Sequence, residues 1–262
     1  MTDKPAGPFD LVIFDWAGTM VDFGCCAPID AYVKAFARRG VVLAEAAARA
    51  DMGIAKADHV RALLARPEVA RDWKTAQGRG PTEADVDDLM EDLGPLMREA
   101  AAVASELIPG AAAAVRTLRE RGLRIASSTG YTREMMAPVL VRAAEQGYAP
   151  DHVLCAGETP QGRPSPLMIY KACAELGVWP LSRVVKVDDA EAGVAEGRAA
   201  GCFTVGVAAS GNSVGLPLAA FQALDAADRK TRVAAAGAAL MAAGADIVID
   251  TVADLPAALA AR

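Results

Sequence analysis

Short apolar runs alternate with helix-length stretches along most of this chain. The first run, Leu11-Val12-Ile13-Phe14, ends at Asp15; others occupy 123–126, 152–155, 184–187, 203–207 and 246–249. Runs of that length, apolar and bounded by turn residues, predict strands buried on both faces. The stretches between them, 111–121, 133–146, 166–176, 191–200 and 228–243, read as helices. Strand and helix in alternation predict an α/β fold with a Rossmann-like, doubly wound parallel sheet covered on both sides. In such sheets ligands sit beyond the carboxyl ends of the strands. The residues just after each run are therefore the ones to read for chemistry.

One region breaks the alternation. From about Cys25 to Ser105 only helical periodicity is present, at 29–39, 44–50, 54–65 and 83–104. This predicts a helical cap domain at 25–104, inserted into a core domain formed by 1–24 and 105–262. Pro109-Gly110 marks the return to the sheet.

Composition narrows the possibilities. The 262 residues can bury a full core, and 53% hydrophobic residues exclude a disordered chain. Alanine, roughly a fifth of the sequence, favours helix. With 33 acidic side chains against 27 basic ones, the net charge of -6 argues against a nucleic-acid partner. No window of 18 consecutive apolar residues predicts a membrane span, and the first ten residues lack a basic segment followed by a long apolar one. The expectation is a cytoplasmic protein. Five cysteines without CxxC spacing read as free thiols of a reducing compartment, with Cys25 or Cys26 a candidate to line a site. Only His59 and His152 are present, so chemistry is expected to run on carboxylates, lysine or cysteine.

The strand ends carry that chemistry. Asp15 follows the first run and precedes Trp16-Ala17-Gly18-Thr19. A carboxylate there can attack phosphorus if something neutralises the dianion it approaches. Taken alone, such an Asp is more often a turn or helix cap. Ser127-Ser128-Thr129-Gly130, after the second run, offers a hydroxyl and free backbone N–H groups as a phosphate cradle. Arg163 supplies a cation between Gly162 and Pro164. Asp188-Asp189 ends another run in two carboxylates, suited to Mg²⁺. The stretch 211–216 reads as a surface loop whose Ser and Asn could also contact this site.

In that order the residues resemble the four motifs of the haloacid dehalogenase superfamily: nucleophilic Asp, Ser/Thr, Lys/Arg and metal-binding Asp. The resemblance covers almost the whole chain. Two departures stand out. Ala17 occupies the place where most phosphatases and mutases of the superfamily carry an Asp that protonates the leaving alkoxide. Gly193 occupies the place of a second Asp in the last motif; Asp188 and Glu191 are the candidates to compensate, Asp188 first because it adjoins the strand end.

The segment 52–61 reads as a helix beginning after Gly53, with Lys56 and His59 on one face. An arbitrary helical lysine is usually solvated. In an apolar turn, however, desolvation can turn it into an amine nucleophile for a carbonyl. Ala17 and Lys56 together, with FDWAGTMVDFGC, MGIAKADHVRAL and SSTGYTREMM, closely resemble the phosphonoacetaldehyde hydrolase (phosphonatase) family. That resemblance implies hydrolysis of a carbon–phosphorus bond through a Lys56 imine and an Asp15 aspartyl phosphate, in the degradation of 2-aminoethylphosphonate. It implies Mg²⁺ on Asp15, the Ala17 carbonyl and Asp189, with Asp188 as a further candidate. Thr129, Gly130 and Arg163 would hold the phosphonate substrate, and His59 would move protons for Lys56. Cys25, Met52 and Tyr131 would line the aldehyde pocket, loop packing being as good an account of Tyr131. The family also implies a homodimer. The alternatives are a phosphatase or phosphotransferase acting on a small ester, which Ala17 argues against, and a silent phosphate-binding protein.

Overall fold

The structure is a computed structural model that describes residues 7–262. Residues 1–6, part of the stretch read as lacking a leader, lie outside the described residues. Among the described residues no helix is long and apolar enough to cross a membrane.

The strand β1 (Leu11–Phe14) is followed by an insertion of five helices. These are α1 (Ala27–Arg38), α2 (Glu45–Ala50), α3 (Lys56–Ala65), α4 (Pro67–Gln77) and α5 (Glu83–Val103). After α6 (Ala111–Glu120) come β2 (Arg124–Ser128), α7 (Arg133–Glu145), β3 (His152–Leu154) and α8 (Leu167–Leu176). The last part holds β4 (Val184–Asp188), α9 (Glu191–Ala200), β5 (Phe203–Val207), α10 (Leu218–Ala223), α11 (Ala226–Ala243), β6 (Ile247–Ile249) and α12 (Leu255–Ala260).

The six strands form one sheet in the order β3-β2-β1-β4-β5-β6, every pair parallel. The α/β expectation holds. Because neighbours in a strand point to opposite faces, β1 feeds two cores. Val12 and Phe14 pack with Ile125, Val185 and Val205 in a cluster that continues into the inserted helices. Leu11 and Ile13 face Met168, Ile169 and Ala172 of α8. Chain order reverses on either side of β1, so β1 and β4 border the crevice where such sheets bind ligands. The register completes the placement. Phe14 lies opposite Ser127 and Val187, which puts the next residues, Asp15, Ser128 and Asp188, side by side at the strand tips.

The inserted helices bury Tyr32 and Phe36 of α1, Leu63 of α3, Trp73 of α4 and Leu89, Leu93 and Met97 of α5. α4 was not foreseen from its polar sequence, although Pro67 at its start and left-handed Gly78 at its end are standard boundary signals. α3 begins at Lys56, two residues later than the periodicity suggested, because 51–54 is taken up by a turn.

The segment joining β1 to α1 is tightly fixed. Asp22 accepts from the N–H groups of Cys26 (3.1 Å) and Ala27 (3.0 Å), covering the start of α1. Gly24 has φ +92°, donates to the Ser210 carbonyl (2.7 Å), and a Cβ there would meet the Leu216 carbonyl oxygen at 2.3 Å. Gly24→Ala should destabilise the protein by about 1–3 kcal/mol, read as a lower urea midpoint at unchanged m-value.

Candidate active site

Asp15 is set at the tip of β1 by a hydrogen bond from its own N–H to the Val187 carbonyl of β4 (2.9 Å). The chain then turns sharply, with Met20 and Val21 N–H groups both donating to the Trp16 carbonyl. Gly18, at φ +86°, has no alternative: a Cβ there would lie 2.2 Å from Asp189 Oδ2. Asp189 is fixed from two further sides, accepting from Thr19 Oγ1 (2.9 Å) and from the Asn212 N–H (2.8 Å). Of the stretch 211–216, read as a surface loop whose Ser and Asn could contact this site, Asn212 is buried and makes that contact, while Ser213 is exposed.

Asp15, Asp188 and Asp189 are all buried and offer one carboxylate oxygen each within 4.8 Å of one another. Burial and the Asp188 charge push Asp15 up to about 6, against the pull of Arg163 and Lys186. Burial and both neighbouring carboxylates also hold Asp189 well above the usual range. An all-oxygen donor set whose members repel one another fits a hard divalent cation, whose charge would remove that repulsion. The missing second Asp also finds its explanation. A Cβ at Gly193 would lie 1.9 Å from Asp188 Oδ2, so the Asp188 carboxylate occupies the space a side chain at 193 would need. Glu191 is exposed on the first turn of α9, so Asp188 is the residue in place to compensate.

Arg163 is buried and spans the site floor. Its Nη1 donates to Asp15 Oδ1 (2.7 Å), Nη2 to the Ser128 carbonyl (2.6 Å) and Oγ (2.9 Å), and Nε to Glu196 (3.0 Å). Burial alone would weaken its hold on the proton. The carboxylates of Asp188, Asp15 and Glu196 more than reverse that, so the cation is permanent. Lys186, fully buried within β4, pairs with Asp188 (3.0 Å) and Glu196 (3.2 Å) and donates to Ser128 Oγ (2.9 Å). The sequence reading named Ser128 only within the phosphate cradle of 127–130 and gave Lys186 and Glu196 no role. A charged residue between Val185 and Val187 in a doubly buried strand was the available signal.

The inserted helices supply the roof. Gly53 and Ile54 carbonyls cover Gly130 so closely that a Cβ there would meet the Ile54 oxygen at 2.6 Å. Thr129 N–H donates to Leu154, and its Oγ1 accepts from Tyr131 N–H (3.1 Å), which shapes the loop after β2. Lys56, at the first turn of α3, is buried with Nζ 3.9 Å from Met52 Sδ. The same Nζ stands over the rings of Tyr131 (4.8 Å) and Tyr32 (5.8 Å). Burial lowers Lys56 to about 8, with Cys25 and Asp15 opposing. His59 packs at a tilt against Tyr32, with ring centroids 4.4 Å apart and planes at 52°, and neither ring nitrogen has a well-aligned hydrogen-bond partner. Burial and Lys56 push it to about 3, so at neutral pH it is uncharged. Cys25, at φ +49°, is also buried; burial and nearby Asp189 and Asp22 keep its thiol protonated.

These pieces close around a cavity of about 20 Å³, room for about one water. Asp15, Ala17, Cys25, Met52, Lys56, Thr129, Gly130, Tyr131, Arg163 and Asp189 all line it; Asp188 and His59 stand behind the wall. A larger hollow of about 420 Å³ lies outside, sharing Met52 and Ala190 with it. Its rim holds Arg49, which ties α2 to the core. The Arg49 guanidinium donates to the carbonyls of Gly24 (3.0 Å), Cys25 (3.3 Å) and Gly215 (3.1 Å) and to Asn212 Oδ1 (3.2 Å).

Comparison with known proteins agrees with this geometry. A sequence model of haloacid dehalogenase-like hydrolases matches residues 9–201. The chain is 48% identical over 244 residues to a phosphonoacetaldehyde hydrolase of Paraburkholderia phytofirmans, covering 93% of this chain and 91% of that protein. It is 44% identical over 255 residues to that of Syntrophobacter fumaroxidans, covering 97% and 92%. The crystal structure of a phosphonoacetaldehyde hydrolase-like protein from Oleispira antarctica superposes with a TM-score of 0.96 at 39% identity, covering 98% of this chain and 93% of that one.

The carboxylate cluster can be tested with Mg²⁺ as titrant in calorimetry. Asp188→Gly should weaken binding about tenfold or more, and Gly193→Ala should do so by displacing Asp188. Adding Gly193→Asp to Asp188→Gly should recover part of the affinity, since the second carboxylate then enters the vacated space.

Proposed function

The chain belongs to the phosphonoacetaldehyde hydrolase family of the haloacid dehalogenase-like hydrolases, and on that premise we propose that it hydrolyses phosphonoacetaldehyde to acetaldehyde and phosphate. The observation that carries this reading is a single one. A buried lysine, Lys56, and a strand-tip aspartate, Asp15, open onto one small cavity in which position 17 is alanine.

The chemistry follows from what each residue can do. The Lys56 amine adds to the aldehyde carbon and, with loss of water, forms a protonated imine. Asp15 attacks phosphorus; the carbon–phosphorus bond breaks, and its electron pair moves into the imine to give a neutral enamine. No alkoxide leaves, so no acid is needed at Ala17. Water then hydrolyses the aspartyl phosphate, while the enamine takes a proton on carbon and its imine is hydrolysed to acetaldehyde and free Lys56. Arg163 and Thr129, with the Gly130 backbone, bind the phosphoryl oxygens. Tyr131 and Tyr32 present ring faces to the Lys56 cation, favouring the iminium as they favour the ammonium. Pushed to about 3, His59 is a weak base in this closed arrangement, so moving protons for Lys56 would fall to it only once the inserted helices open and water reaches its ring.

The metal reading is Mg²⁺ held by Asp15, Asp188, Asp189 and the Ala17 carbonyl. When bound it would neutralise the phosphonate dianion as it meets the Asp15 carboxylate. The closed cavity is too small for the substrate, so binding requires the inserted helices to swing away from the strand tips, breaking the Arg49 contacts. The expected setting is cytoplasmic degradation of 2-aminoethylphosphonate by a homodimer.

Incubation with phosphonoacetaldehyde and borohydride should leave a reduced adduct on Lys56, located by mass spectrometry. Without borohydride, phosphate and acetaldehyde should appear in equal amounts. Lys56→Ala should abolish adduct and turnover together; turnover of phosphonoacetaldehyde that survives it would overturn the imine. Because Lys56 is lowered to about 8, its reactive amine fraction grows as pH rises toward 8 and levels off above it. The trapping rate should therefore increase by about fiftyfold between pH 6 and 8 and change by no more than about twofold beyond.

A further inference from the structure

The mechanism above leaves one fully buried carboxylate without a task. Glu196 lies on α9, away from the strand-tip loops, and shows no exposed surface. Its Oε2 accepts from Arg163 Nε at 3.0 Å and pairs with Lys186 at 3.2 Å, while Oε1 has no hydrogen-bond partner. A buried charge kept in that state is costly unless its geometry serves the groups it pairs with.

A guanidinium is a rigid planar fork, so fastening two of its edges fixes the direction of the third. Ser128 holds Nη2 through its carbonyl (2.6 Å) and hydroxyl (2.9 Å). Glu196 holds Nε, and what remains, Nη1, points at Asp15 Oδ1 at 2.7 Å. Lys186 locks the arrangement from behind, bridging Glu196, Ser128 and Asp188. The space is committed as well: a Cβ at Gly197 would meet the Lys186 side chain at 2.8 Å.

We propose that Glu196 is a positioning residue that fixes the rotation of the Arg163 guanidinium, keeping Nη1 turned toward Asp15 and the phosphoryl group it attacks. This rests on the reading of Arg163 as a phosphoryl-binding cation. Glu196 touches no substrate and acts only through Arg163. A lysine at 163 keeps a positive charge but has no Nε edge for Glu196 to hold, which makes Arg163→Lys the informative background.

The test measures phosphonoacetaldehyde turnover and, separately, inorganic phosphate affinity by calorimetry. It uses the wild type, Glu196→Gln, Glu196→Asp, Arg163→Lys and the Glu196→Gln/Arg163→Lys double variant, each with its Tm. Glu196→Gln should lower kcat/KM by about tenfold to a hundredfold and weaken phosphate binding several-fold. Glu196→Asp keeps the charge beside Lys186 but ends one methylene short of Nε; it should show a comparable loss, and it carries the test if Glu196→Gln does not fold. In the Arg163→Lys background, Glu196→Gln should cost less than about threefold, because the residues act as one unit. An equal loss in both backgrounds would overturn the proposal, as would a loss that only follows a fall in Tm. If the wild type does not hydrolyse phosphonoacetaldehyde, the functional reading fails. The phosphate-binding cycle still decides the role of Glu196.

Discussion

The contact on which the rest of this structure depends is the buried pair between Arg163 and Asp15. A carboxylate can serve as a nucleophile toward a phosphonate dianion only if positive charge is already present where the two anions meet. Arg163 provides it at 2.7 Å, within a floor that also contains Asp188, Asp189, Glu196 and Lys186. The carboxyl groups of Asp15, Asp188, Asp189 and Glu196 outnumber the two cations, Arg163 and Lys186. Burial first, and the neighbouring carboxylates after it, hold Asp15 and Asp189 above the usual carboxylate range. A divalent cation is the species that balances the excess of carboxyl groups, which is why the acidic cluster is better understood as a cation site than as an accident of packing.

The sheet register explains how so many charges converge. Because β1 lies between β2 and β4 with Phe14 opposite Ser127 and Val187, one more residue on each strand delivers Asp15, Ser128 and Asp188 to the same level. Arg163 and Glu196 then arrive from the loop before α8 and from α9. Apart from Asp188 and Glu196, which lie on the consecutive elements β4 and α9, these side chains are far from one another in sequence. The backbone hydrogen bonds of three apolar strands do the positioning, and the polar residues need only follow at the correct step.

That is also why the strand-tip chemistry was legible in the sequence and its support was not. Asp15, Thr129 and Asp189 each follow an apolar run, so the period of the sheet announces them. Lys56 could be read only together with Ala17, one residue present and another absent. Glu196 sits in an ordinary helix with no local mark, and its meaning appears only once α9 is laid against β4. Ser128 was visible as part of a hydroxyl-rich turn, but its carbonyl, the better of its two contacts with Arg163, is something every residue possesses. Asn212 was read as loop because Gly, Asn and Ser are loop formers; what it contributes to Asp189 is a backbone N–H. Support supplied by main-chain atoms leaves no side-chain signature.

Burial acts in opposite directions on the two reactive groups, and both directions favour the same chemistry. It raises Asp15, whose anion is costly without a cation beside it, and lowers Lys56, whose ammonium is costly for the same reason. The amine is made available by the closure that excludes water, while the carboxylate is made usable by the charges brought to it. Exposed to solvent, Lys56 would hold its proton more tightly than it does here, and less of its amine would be free near neutral pH. On the proposed mechanism the inserted helices are therefore more than a lid over a finished core site: they would carry one of the two nucleophiles, Lys56, and they bury it. Arg49, anchored to the carbonyls of Gly24, Cys25 and Gly215, holds the site shut from the side of the insertion. An alkoxide-expelling phosphatase needs an acid at position 17; if Lys56 forms the proposed imine, the electron sink arrives from the roof instead, and the floor can leave alanine where the acid would stand.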